Sequence, residues 1–237
     1  LSMHIAIDSD GTVTVKDTSV VYRLAPSVVA ASLMAAVMVV PVSERALGLG
    51  LGHDALVLVG LLALARFATA ASAWDTANGF SLMGASRDLM ISVFVEGTMI
   101  LSLAVAAILA GSTDLRNMVG ASAGTGPWSE PLLALGALAF GVVVLAETGR
   151  QPVDNPDTHL ELTMIHEGPL LEYAGRDQVY LTWAMAARHW VVLVLAAQIF
   201  LPHIPGVAGQ VILLPFVLVV LCAGLAVVET FLAKMRI

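Results

Sequence analysis

The chain has 237 residues and a formal net charge of −7; 58% of its residues are hydrophobic and only 12% are charged. Soluble domains carry roughly 25% charged residues, so this composition, with a mean hydropathy of +0.89, excludes an ordinary soluble fold and identifies an integral membrane protein. No basic patch offsets the acids, which excludes a nucleic-acid-binding surface.

Residues 1–19 differ from the rest. Ile5 and Ile7, then Val13 and Val15, alternate with polar neighbours around Asp8-Ser9-Asp10-Gly11, a pattern that predicts an N-terminal arm or a small hairpin. From residue 20 to 237 the chain reads as a single transmembrane domain. Apolar stretches near 24–43, 54–73, 87–110, 129–147, 178–201 and 208–231 each approach or exceed the roughly 20 residues that span a bilayer. Hydrocarbon offers no partner for backbone amides, and runs without two-residue alternation satisfy them as helices. The predicted fold class is therefore all-α, a polytopic bundle of six transmembrane helices.

The first span has Pro26 in its opening turn, where a missing amide hydrogen costs little, and Pro41 marks its far end. Gly48, Gly50 and Gly52 follow no strand, so they do not read as a dinucleotide loop. The second span ends at Trp74-Asp75 and is followed by an Asn78-Gly79 turn. Trp74, Trp128 and Trp190 fall near helix ends, as interfacial anchors do.

The fourth span ends in Glu147 and opens a connector, 147–177, that holds seven carboxylates: Glu147, Asp154, Asp157, Glu161, Glu167, Glu172 and Asp177. A short helix is expected over 156–167, because Asn155 suits the N-cap, Pro156 the first helical position and Asp157 the positive end of the dipole. Gly168-Pro169 should stop or bend it. Lys16, Arg23, Arg87, Arg150, Arg176, Lys234 and Arg236 fall on one side of the six-helix count, against Arg45 and Arg116 on the other. Basic residues are retained in the cytoplasm, so both termini and the acidic loop are expected there, on the inner membrane. Cys222 is the only cysteine, which excludes an intrachain disulfide or iron–sulfur cluster. A start at Leu1 and a stop just after a basic helix end suggest a piece of a longer protein.

Arg66 and Glu96 lie deep in the second and third spans, where a charge costs roughly 2.5–3.5 kcal/mol unless it faces a partner or water. The simplest arrangement pairs them, either as a structural ion pair or as a proton-handling glutamate with a movable partner. Arg188 and His189 sit midway along the fifth span, and Glu147 and Glu229 stand at cytoplasmic ends, where ordinary interface residues are also found. With the loop acids they form a string of titratable groups leading inward, as in proton-conducting proteins. By itself the loop reads equally as a solvated acidic connector. His159, Glu161, His166 and Glu167 do not have the spacing of a zinc helix, and no serine or cysteine nucleophile with a base is evident.

Three stretches carry a family resemblance. Trp74 to Arg87, followed after nine residues by Glu96, resembles a segment of the membrane subunit that joins the two arms of respiratory complex I and its hydrogenase relatives. Glu147-Thr-Gly-Arg150 with Pro152, Asp154, Pro156 and Glu172-Tyr173-Ala174-Gly175 is similar to the family's glutamate–arginine loop, with Ala174 where the family has serine. Asp154 to Glu167 and Glu229 to Ile237 look like group 4 membrane-bound nickel-iron hydrogenases and formate hydrogenlyase more than quinone-reducing complex I. The family pattern also has a helix before residue 20 and another after Lys234.

The resemblance implies an anchoring subunit without a cofactor of its own. The nickel-iron centre and iron–sulfur clusters would belong to a hydrogenase large subunit and an iron–sulfur small subunit, with antiporter-like subunits alongside in the bilayer. It implies a proton (or sodium) path through Glu96, Glu147, Glu229 and Arg66. Docking and coupling would fall to Arg150, Asp154, Asp157, His159, Glu161, His166, Glu167, Glu172 and Tyr173. Two alternatives stand beside it: a quinone-site subunit of complex I type, and a purely structural anchor.

Overall fold

The computed structural model describes residues 4–7, 13–16, 19–43, 50–76, 78–125, 130–149, 168–201 and 207–233. The two alternating stretches are short strands, β1 (His4–Ile7) and β2 (Val13–Lys16), paired antiparallel with Ile5 opposite Val15. All other regular structure is helical: α1 (Val20–Val39), α2 (Asp54–Thr76), α3 (Gly79–Ala110), α4 (Leu115–Thr125), α5 (Pro131–Glu147), α6 (Arg176–Leu195) and α7 (Val207–Ala233). A 3-10 turn, Pro169–Glu172, precedes α6, and a π-turn, Ala196–Phe200, extends it.

Among the described residues, five stretches are long and apolar enough to cross a bilayer: Val20–Val39, Asp54–Thr76, Ser81–Ala110, Arg176–Phe200 and Gly209–Phe231. The chain is thus a multi-pass membrane bundle. The fourth of the six expected spans becomes α5, whose 17 residues rise about 25 Å, short of the roughly 30 Å of a hydrocarbon core. Three elements were not anticipated: α4, whose small and polar residues carry no apolar periodicity, the 3-10 turn and the π-turn. The helix expected over 156–167 lies outside the described residues.

Local chemistry sets the helix limits. Ser19 caps α1, its hydroxyl accepting from the amides of Val21 and Tyr22 at 3.2 and 3.5 Å. Because α1 starts at Val20, Pro26 is an interior residue and not part of the opening turn. It has no amide hydrogen to give the carbonyl four residues back, which is that of Tyr22. Along α3, the hydroxyls of Ser92, Thr98 and Ser102 donate to the carbonyls of Leu89, Phe94 and Thr98, so these polar groups satisfy themselves on the helix.

In a bilayer, burial from water does not drive helix against helix; close packing does, and small residues permit it. Helix α1 packs on α2 and α6 through Ala25, Ala36, Ala55 and Ala65, all buried. Helix α5 packs on α3, and Gly136 makes the approach possible: a Cβ there would lie 3.4 Å from Val105 Cγ1 and 3.5 Å from Phe200 Cε1. Phe140 and Phe200 pack at 4.9 Å between centroids, which seats the π-turn against α5. Helix α7 touches the bundle through α6 and the π-turn and leaves most of its apolar surface exposed, including Ile212, Phe216 and Phe231.

Candidate functional site

The site is built around one guanidinium. Arg66 stands near the middle of α2, about 15 Å along the helix from its nearer end, and is 5% exposed. Its fork is divided between two helices: Nη1 donates to Glu96 Oε1 on α3 at 2.9 Å, and Nη2 to Glu147 Oε1 at the end of α5 at 2.7 Å. Nε lies 3.6 Å from Asp88 Oδ2, also on α3. Arg188 on α6 closes the cluster, with Nη1 3.8 Å from Glu147 Oε2. Two cations therefore face three carboxylates contributed by separate helices. Within a buried region such pairs feel one another strongly, on the order of 4 kcal/mol at 4 Å for an effective dielectric of about 20.

Glu147 is where the shortness of α5 matters. Sequence reading set it at a cytoplasmic helix end, but it is 2% exposed and held against Arg66 in the middle of the bundle. The helix stops there because Gly149 adopts φ +62° and returns its amide to the Ala146 carbonyl at 3.1 Å. Thr148 secures the same turn, its hydroxyl donating to the Val144 carbonyl at 2.7 Å. The acidic connector thus begins inside the bundle. A cavity of about 50 Å³ adjoins it, lined by Arg66, Asp88, Arg188 and Thr69 with Leu33 and Leu170 among its apolar walls. At roughly 15 Å³ per water it accommodates a few water molecules among polar partners.

The connector's other end is pinned. Tyr173 is buried and stacks on Tyr22 of α1 at 4.4 Å with the rings 4° from parallel. Tyr22 donates its hydroxyl to the Glu172 carbonyl at 2.5 Å, and Tyr173 donates to the Tyr22 carbonyl at 3.2 Å. That last acceptor is the carbonyl that Pro26 leaves without its helical amide, so the proline makes room for the clasp. Burial pushes the Tyr173 phenol above its ordinary range. Asn78 donates to Glu172 Oε1 at 2.5 Å, which fastens the same point to the start of α3.

Arg66 and Glu96 pair as the sequence suggested, and Glu147 joins them. Glu172 and Tyr173 are brought to the clasp, some distance along the chain from the charge cluster. Glu229, half-buried on α7, is not among the partners of Arg66. Arg150, Asp154, Asp157, His159, Glu161, His166 and Glu167 lie outside the described residues. Sequence reading passed over Asp88 and gave Arg188 no partner. A signal for Asp88 existed: Asp88, Ser92 and Glu96 recur every four residues and share one face of α3. Among the described residues no group of three histidine, cysteine or carboxylate side chains comes together as a metal cage.

A family model described as NADH dehydrogenase matches residues 9–237. The chain is 36% identical over 186 residues to hydrogenase-4 component C of Escherichia coli (strain K12), covering 78% of this chain and 58% of that protein. It is 33% identical over 227 residues to formate hydrogenlyase subunit 4 of the same organism, covering 92% and 72%. An NADH-quinone oxidoreductase membrane subunit of Cereibacter sphaeroides (strain ATCC 17029 / ATH 2.4.9) is 29% identical over 191 residues, covering 81% and 58%. The chain therefore spans a little over half the length of two of these relatives. Its fold is similar to a chain in the structure of the membrane-bound sulfane sulfur reductase, an archaeal respiratory membrane complex, with a TM-score of 0.72 at 17% identity, covering 94% of this chain and 74% of that one.

Proposed function

The chain belongs to the NADH dehydrogenase family of membrane subunits, together with hydrogenase-4 component C and formate hydrogenlyase subunit 4, and is homologous to the corresponding membrane subunit of complex I; on that premise we propose that it anchors a peripheral nickel-iron hydrogenase module to the membrane and couples that module's electron transfer to proton or sodium movement. The nickel-iron centre and the iron–sulfur clusters reside on the docked large and small subunits, and antiporter-like membrane subunits receive the signal. The acidic connector and both termini face the cytoplasm, and α5 completes a sixth crossing together with its flanking turns.

One observation carries this reading: a single guanidinium serves carboxylates from two neighbouring helices, and one of those carboxylates is the first residue of the acidic connector. A redox event in a module seated on the connector reaches Glu147 over two residues of chain, Thr148 and Gly149. A proton taken up by Glu147 cancels its charge and loosens its hold on Arg66 Nη2 and Arg188. Both cations then act more strongly on Glu96 and Asp88. The electrostatic state of α3 changes without any large motion, and α3 is the element through which adjoining subunits would sense it. Such a cluster is a two-state element of the kind that coupling requires.

The experiment pairs Glu147→Gln and Glu96→Gln in the assembled complex. Each should leave hydrogen turnover largely intact while reducing ion translocation by an order of magnitude or more. Unchanged translocation in both variants would remove the coupling assignment. Identity is higher to the hydrogenase and formate hydrogenlyase proteins than to the quinone-reductase one, which favours the hydrogenase reading. Metal analysis of the purified complex separates the two: nickel with iron supports it, and flavin with iron but no nickel supports the quinone alternative.

A further inference from the structure

At the end of the bundle away from the tyrosine clasp, the first turn of α2 meets the turn between α3 and α4. The Ala55 amide donates to the Thr113 carbonyl at 3.2 Å, and His53 Nδ1 lies 2.8 Å from Thr113 Oγ1, so the two segments are held side by side. This brings the carboxyl groups of Asp54 and Asp114 within hydrogen-bonding reach of each other. Asp54 is 0% exposed. Its Oδ1 accepts from the Leu51 amide at 2.7 Å, whereas its Oδ2, equally buried, has no donor. Asp114 Oδ1 is occupied in capping α4, accepting from the Arg116 amide at 3.0 Å.

A buried carboxylate oxygen without a donor is costly, and two carboxylates in contact at a buried position cannot both carry full charge. A single hydrogen between them removes both difficulties. The charged and titratable groups that face Asp54 among the described residues are Asp114, Arg116 and His53. Arg116 and the positive end of α2 favour a negative charge on the pair, which suits one anion and one acid sharing a proton. The surroundings supply N–H groups and no third carboxylate or imidazole ligand among the described residues, a donor set that suits a proton and not a metal ion.

We propose that Asp54 and Asp114 form an acid pair that binds one proton and staples the start of α2 to the α3–α4 turn. The proton is covalent to one carboxyl oxygen and donated to the other; its loss to water leaves two anions in contact and opens the staple. The pair lies about 18 Å along α2 from Arg66, so it is a proton site separate from the charge cluster and independent of the coupling reading.

The test uses the full chain in lipid nanodiscs. Infrared spectra with aspartate-selective ¹³C labelling should show a protonated carboxyl band at neutral pH in the wild type that disappears in Asp114→Asn and in Asp54→Asn. The melting temperature of the wild type should fall by about 3–6 °C between about pH 6 and about pH 9 as the proton leaves. In Asp114→Asn that fall should be absent, because an amide N–H bonds Asp54 at every pH. If a variant fails to fold, the wild-type band decides alone. No protonated aspartate band, or parallel melting profiles in wild type and variants, overturns the proposal. Restoration of wild-type stability at high pH by added Na⁺ or Mg²⁺, lost in the variants, also overturns it, because the bridge would then be a cation.

Discussion

Arg66→Lys tests whether the fork geometry of Arg66, and not merely its charge, holds the cluster together. A guanidinium presents two nitrogens in a fixed plane, and here each takes a different helix: Glu96 on α3 at 2.9 Å and Glu147 on α5 at 2.7 Å. A lysine ammonium is a single point on a flexible stem and cannot make both bonds at these lengths. The variant keeps the charge and loses one charge-assisted hydrogen bond, a cost of about 1.5–3 kcal/mol. For a domain of this size that corresponds to a fall of roughly 5–10 °C in melting temperature. Arg66→Met removes the cation as well and should cost more, about 3–5 kcal/mol, because buried carboxylates are left without a partner. The assay is thermal unfolding in detergent micelles, followed by a double-mutant cycle of Arg66→Met with Glu96→Gln. Contact through the cluster predicts that the double variant is more stable than the sum of the single losses by at least about 1 kcal/mol. Arg66→Lys as stable as the wild type, or additivity within about 0.5 kcal/mol, would refute the reasoning.

Two further outcomes follow from particular contacts. Gly136→Leu must place a branched side chain where a Cβ alone already meets Val105 and Phe200; overpacking of this kind should cost about 1–3 kcal/mol, read by thermal unfolding. The raised Tyr173 phenol gives a pH dependence with a definite sign. Its neutral form is favoured in the folded chain, so its contribution to stability is intact below the ordinary tyrosine value near pH 10 and is lost as pH rises above it. Tyr173→Phe should flatten that alkaline decline and cost about 1 kcal/mol at neutral pH, checked by melting curves alongside tyrosinate absorbance.

The membrane class, the helical fold and most span limits were legible because they follow from one constraint, the need of backbone amides for internal partners in hydrocarbon. Arg66 and Glu96 were legible for a related reason: a charge deep in an apolar helix requires a partner, and each was the obvious one for the other. Glu147 was misread because its place was inferred from its position at a helix end. Helix ends usually lie at interfaces, but α5 is too short to carry its last residue that far, and its length depends on a left-handed turn at Gly149 that apolar runs do not announce. Pro26 was misread likewise: with the helix starting at Val20 it became an interior proline, and its effect is felt through the carbonyl of Tyr22.

What this sequence determined alone is the chemistry of each span taken singly: which stretches must be helices in lipid, and which buried charges cannot stand without partners. Tertiary packing alone decided the sharing, namely that one guanidinium serves Asp88, Glu96 and Glu147 with Arg188 beside them, and that Tyr173 rests on Tyr22. The reason is physical. Hydropathy and capping act over a few neighbouring residues, whereas these contacts join helices as much as 81 residues apart between Arg66 and Glu147, at distances set by how closely small side chains let the helices approach.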